Sequence, residues 1–104
     1  MHKDNFVMMI AAKATPGMEG YLRHFFYELM QQSRNEKGCR TYNVHESLDH
    51  LGEFMLYGVW DSPEDFEHHN ASPHMQEFKK QLSKKLFAIQ SPKTTWRILD
   101  ERDD

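Results

Sequence analysis

The residues best suited to proton chemistry are the histidines of the run His69-Asn70-Ala71-Ser72-Pro73-His74. An imidazole titrates near neutrality, so it is the natural base for a weakly acidic O–H or C–H group. His69 reads as that base; its other reading is a polar residue tying a short helix to a sheet. His74, second residue of a new helix, is a pocket residue in one reading and a structural one in the other. Trp60 ends a strand, where an indole packs by its ring while its N–H reaches a partner. It would orient an aromatic ligand or simply fill the core. Metal chemistry lacks its usual spacing. His68, His69 and His74 form no helical i, i+4 pair, no HExxH run occurs, and His2, His24, His45 and His50 are scattered. No metal is expected.

Four residues are candidates for substrate binding: Tyr42, His74, Gly58 and Arg34. Tyr42 and Asn43 point to opposite faces of one strand, so at most one looks into a given pocket; cross-strand packing is the other reading of Tyr42. Gly58 marks a bulge or makes room for a ligand against the sheet. Arg34 and Glu36, near the end of a helix, could pair with each other or reach a carbonyl, and a solvated or capping role suits the cation there. Cys39 has no cationic cluster beside it except Arg40 and reads as an inert thiol. The pairs Lys79-Lys80 and Lys84-Lys85 read as the solvated face of a helix.

These residues need elements to hold them. Phe6 to Ala14 is almost continuously apolar and stops at Thr15-Pro16-Gly17, which predicts a buried strand. From Met18 the apolar residues Met18, Leu22, Phe25, Phe26 and Leu29 recur at helical spacing, predicting a helix to about Arg34 that ends before Gly38. Arg40 to Glu46 and Glu53 to Trp60 read as two strands joined by a polar turn at Asp49 to Gly52. Ser62-Pro63 and Ser72-Pro73 are successive helix starts, each a serine cap with proline at the first helical position. They predict a short helix, a break near Asn70, and a longer helix with the stripe Met75, Phe78, Leu82, Leu86 and Ile89 that Pro92 ends. Thr94 to Leu99 is the expected last strand, followed by a polar tail, Asp100 to Asp104.

The order β-α-β-β-α-β defines an α+β, ferredoxin-like fold with a four-stranded antiparallel sheet, and all 104 residues are read as one domain. Its helices cover one sheet face. The first and third strands are apolar on both faces, so the second face calls for a cover, and a second copy of the chain packed sheet to sheet supplies one. Composition narrows the partners. The charged fraction is 28% and the net charge is -3, with no basic cluster interleaved with aromatics, so nucleic acid is not an expected partner. The one cysteine excludes an intrachain disulfide and fits a reducing compartment. Met1-His2-Lys3-Asp4-Asn5 has no signal-peptide layout and Phe6 to Ala12 is too short to span a bilayer. A soluble cytoplasmic protein with no membrane partner is the expectation.

Several local patterns then coincide: Thr15-Pro16-Gly17 before the first helix, Ser33-Arg34-Asn35-Glu36-Lys37-Gly38-Cys39 after it, Tyr42, Trp60, and the run from His69 to His74. Together, over roughly Phe6 to Leu99, they resemble the antibiotic biosynthesis monooxygenase family, which includes quinol monooxygenases and polyketide-anthrone oxygenases. The resemblance implies a dimeric α/β barrel, a pocket between sheet and helices, and oxygenation by O2 of a small aromatic, quinol or polyketide-like substrate without metal, flavin or haem. His69 would take the proton and Trp60 would stack on the ring. One departure is clear: the family usually carries glutamate two residues before the tryptophan, where this chain has Gly58. A small-molecule-binding dimer without chemistry and an isomerase of a small carbonyl compound are the alternatives. The haem-degrading branch is matched only at Trp60, since its asparagine and histidine positions fall near Ile10 and Lys79.

Overall fold

The computed structural model describes residues 5–91 and 93–99. In chain order the elements are β1 (Phe6–Ala14), α1 (Glu19–Arg34), β2 (Cys39–Glu46), β3 (Glu53–Trp60), α2 (Pro63–Asn70), α3 (Pro73–Ser83), β4 (Phe87–Ile89) and β5 (Thr94–Trp96). The sheet order is β2-β3-β1-β4, with β5 also paired to β1. All pairings are antiparallel. This is the ferredoxin-like arrangement, with β1 and β3 at the centre because they carry apolar residues on both faces.

Register assigns the faces. Met8, Ile10 and Ala12 lie opposite Gly58, Leu56 and Phe54, and this side receives the helices. Leu22, Phe26 and Leu29 of α1 and Met75 and Phe78 of α3 are buried in one core with these strand residues. Phe26 meets Phe54 and Phe87 edge-on at 5.1 and 5.3 Å between ring centres, a geometry that adds about 0.5–1.5 kcal/mol to simple burial. The other face presents Val7, Met9 and Ala11 of β1 opposite Val59, Tyr57 and Met55, and Trp96 of β5 extends it beside Val7.

A register shift between Cys39 and Thr41 leaves Arg40 as the extra residue of a bulge. Cys39 pairs Trp60 and Tyr42 pairs Gly58, so two residues of opposite parity share the helix-covered face. The bulge is what brings Tyr42 under α2.

Two sequence expectations need correction. The longer helix does not run to Ile89. It stops at Ser83, and Lys85 adopts φ 62°. The Lys85 N–H donates to Leu82 O and the Leu86 N–H to Gln81 O, the paired bonds of a Schellman ending. Leu86 and Ile89 continued the helical spacing by coincidence; Ile89 instead pairs with Ala12 in β4. The last strand is therefore split, and among the described residues the sheet has five strands rather than four. Pro92, the expected helix stop, lies outside the described residues, as does the tail Asp100 to Asp104.

Candidate active site

Beyond α1 the chain turns so that the Glu36 N–H donates to Ser33 O at 3.1 Å, which brings the Glu36 side chain toward the last turn of α2. Ser72 aligns the facing helices. Its hydroxyl donates to the His69 carbonyl at 2.6 Å and accepts from the Met75 N–H at 3.3 Å, joining the end of α2 to the start of α3. His69 and His74 consequently converge on one carboxylate. His69 Nδ1 lies 2.9 Å from both Glu36 oxygens, and His74 Nε2 lies 2.5 Å from Oε2. The Trp60 indole N–H adds a longer bond to Oε1 at 3.4 Å.

Burial by itself would raise the Glu36 pKa. The hydrogen bonds and positive potential from His69, with further bonds from His74 and Trp60, outweigh it and set the carboxyl below its ordinary value. An ionised carboxylate only accepts, so the network assigns the His69 proton to Nδ1. In the neutral imidazole Nε2 is then the acceptor, buried and without a hydrogen-bond partner among the described residues.

His69 also lines a cavity of about 210 Å³ between the sheet and α2 and α3. Met8, Ile10, Leu56, Phe66 and Phe78 make its walls apolar, Tyr42 contributes a phenol, and Lys79 and Lys93 stand among the lining residues. Lys93 Nζ sits 5.1 Å above the Phe66 ring. Deep burial keeps the Tyr42 phenol far above its usual pKa, so Tyr42 stays neutral and is no rival base. Burial, reinforced by the Glu36 charge, pushes the Cys39 thiol up to about 11, in keeping with an inert thiol. The arrangement is thus a carboxylate-oriented imidazole among the residues that line an apolar pocket, a combination able to take a proton from a bound hydroxyl or activated C–H.

The expected site residues divide. His69 and Tyr42 line the cavity, while Trp60, His74, Gly58 and Arg34 do not. Trp60 is fully buried behind His69, its ring centre 4.7 Å from the imidazole; it buttresses the histidine and binds Glu36 and is not positioned to stack on a ligand. Gly58 is explained by the same ring, because a Cβ there would run into the six-membered ring of Trp60. His74 lines a separate crevice against α1. Arg34 is tied to β2, donating to Tyr42 O at 2.9 Å and Asn43 Oδ1 at 2.8 Å. Glu36, expected to cap or be solvated, is the hub of the site. No local pattern in the sequence pointed to it, since an acid just past a helix C-terminus is ordinarily solvated.

Comparison with known proteins identifies relatives of this chain. The family model described as antibiotic biosynthesis monooxygenase matches residues 5–81. "Putative monooxygenase Rv0793" of Mycobacterium tuberculosis is 31% identical over 71 residues, which cover 68% of this chain and 69% of the relative. Its solved structure superposes with a TM-score of 0.78 at 26% identity, covering 93% of this chain and 97% of the other. A Deinococcus radiodurans structure titled "putative antibiotic biosynthesis monooxygenase" reaches a TM-score of 0.82 at 22% identity, covering 91% of this chain and 93% of that one, a likeness of fold. The chain belongs to the antibiotic biosynthesis monooxygenase family.

Proposed function

We propose that the protein is a cofactor-independent monooxygenase that oxidises a small phenolic or quinol-type ring with O2, His69 being the base. The observation that carries this reading is the buried Nε2 of His69, without a hydrogen-bond partner among the described residues, on a ring whose Nδ1 is held by Glu36 and which lines an apolar cavity. A hydroxyl donating to Nε2 would relieve an unsatisfied buried acceptor on binding. Transfer of its proton produces an electron-rich anion, favoured by the Lys79 and Lys93 ammonium groups and able to reduce oxygen directly. The balance needs no external reductant: a hydroquinone and O2 give a hydroxyquinone and water, the ring supplying all the electrons. Size narrows the substrate, since a cavity of about 150 Å³ holds benzene and this one, at about 210 Å³, suits one substituted ring or a fused pair.

The haem alternative finds little support in the donor set. Ile10 and Lys79 occupy its positions, and His74, the histidine of α3, is turned to Glu36. Gly58 has a packing reason in the room it leaves for the Trp60 ring.

The test is oxygen uptake by chelator-treated protein with substituted hydroquinones and naphthohydroquinones, anthrone marking the upper size limit. Consumption of one O2 per ring above the spontaneous rate is expected. His69→Ala should lower kcat by about 10²–10⁴-fold, the usual worth of a general base. Absence of uptake across the panel by folded protein would refute the proposal.

A further inference from the structure

The cluster that orients His69 has a second capacity. Glu36 comes from the α1–β2 connection, His69 from α2 and His74 from α3, yet each offers a ligand atom within 4.8 Å of the others. We infer that these three residues form a binding site for a divalent first-row transition ion, and that a bound ion reverses the tautomer of His69.

The donor set is two imidazole nitrogens and one carboxylate oxygen, a combination suited to zinc, iron or nickel and unlike the all-oxygen shells of magnesium or calcium. Tetrahedral coordination at about 2.0–2.2 Å places ligand atoms roughly 3.4 Å apart. The present spacings of 2.5 and 2.9 Å between imidazole and carboxylate are hydrogen-bond distances. Each ring must therefore retreat by roughly 0.5–1 Å from the carboxylate to admit the ion. Entry is open on one side, where a crevice of about 220 Å³ is lined by Glu36, Lys37, Asp65, His68, His69 and Ser72. That crevice has room for the water that completes a three-ligand site. An outer shell is in place as well, since the Trp60 N–H engages Oε1 and orients the carboxylate, as outer partners of metal ligands do.

The consequence follows from imidazole chemistry. With Nδ1 donating to Glu36, the neutral imidazole keeps its lone pair on Nε2. An ion on Nδ1 moves the proton to Nε2, turning that acceptor into a donor. On the reading of His69 as base, which this consequence and not the site itself depends on, an occupied site is a blocked enzyme.

Metal-free full-length protein titrated with Zn²⁺ against a chromophoric chelator should bind one zinc per chain, with no response to Mg²⁺. His74→Ala and Glu36→Gln, checked for folding by circular dichroism, should each weaken binding at least tenfold, and His74→Gln serves if the alanine variant is unstable. His50→Ala, an exposed histidine away from the cluster, should bind as the parent does. Nitrogen-15 spectra should show the His69 proton on Nδ1 without zinc and on Nε2 with it. No binding, or binding that the His74 variants leave unchanged, overturns the site. If zinc binds with the expected tautomer and oxygen uptake persists at full rate, the base assignment falls and the metal site stands.

Discussion

Glu36 is the residue on which the site turns, and its ionisation should be visible in stability. Its folded pKa lies below 4.5, the ordinary value, because donors from His69, His74 and Trp60 outweigh the cost of burial. A depressed carboxylate stabilises the fold fully above the unfolded pKa and loses that contribution as pH falls through the folded one. Glu36→Gln should therefore lower Tm at pH 6–7, with the gap to the parent closing below about pH 4.5. Thermal melts across pH 3–7 measure it, and a gap that stays constant with pH would mean that charge is not what Glu36 contributes. Residue types announced His69 and Tyr42 as candidates, but Glu36 was hidden by its ordinary place beyond a helix end. The convergence of its carboxylate with rings 33 and 38 residues away is set by packing and leaves no local pattern.

At the scale of elements, legibility followed the strength of local chemistry. The two serine-proline starts were readable because each cap is written in adjacent residues: Ser62 accepts from the Asp65 N–H and Ser72 from the Met75 N–H. The end of α3 was not readable, because its left-handed residue is Lys85, with φ 62°, where glycine would have given the signal. A lysine in that conformation carries steric cost that glycine avoids. Lys85→Gly is expected to stabilise the fold by about 1 kcal/mol, equivalent to about 4–8 °C in Tm for a chain of this size. Denaturant melts decide it, and a loss of stability would show that the Lys85 side chain makes a contribution outweighing its backbone strain. The break between α2 and α3 has a function beyond ending a helix, since it lets His69 and His74 face one carboxylate from two axes.

For the whole molecule, the open sheet face remains to be covered. Met9, Ala11, Met55 and Tyr57 are half-buried on it and Trp96 is exposed beside them. Lys13 and Glu53 pair across strands at one end of the β1–β3 ladder, so the surface is apolar with opposite charges at its margin. Such a surface is suited to a second copy by two-fold symmetry, and the proposed assembly is a sheet-to-sheet homodimer. Sedimentation velocity should find a dimer for the parent chain and a folded monomer for Met9→Lys, whose ammonium group would lie unpaired in the seam. A parent chain that stays monomeric through the high micromolar range would exclude this pairing. The cavity lies on the opposite, helix-covered side, so loss of the dimer need not remove the site.

By itself the sequence determined the α+β order, the two-faced apolar strands, the capped helix break and the family, because these depend on periodicity, caps and spacing that neighbouring residues carry. Tertiary structure alone decided which sheet face encloses the cavity, that the last strand is split, and that Glu36 joins Trp60, His69 and His74. Those outcomes depend on a one-residue bulge at Arg40, a left-handed lysine at position 85 and the room Gly58 leaves for an indole. Each is a matter of register or volume, and register and volume exist only once the elements are packed.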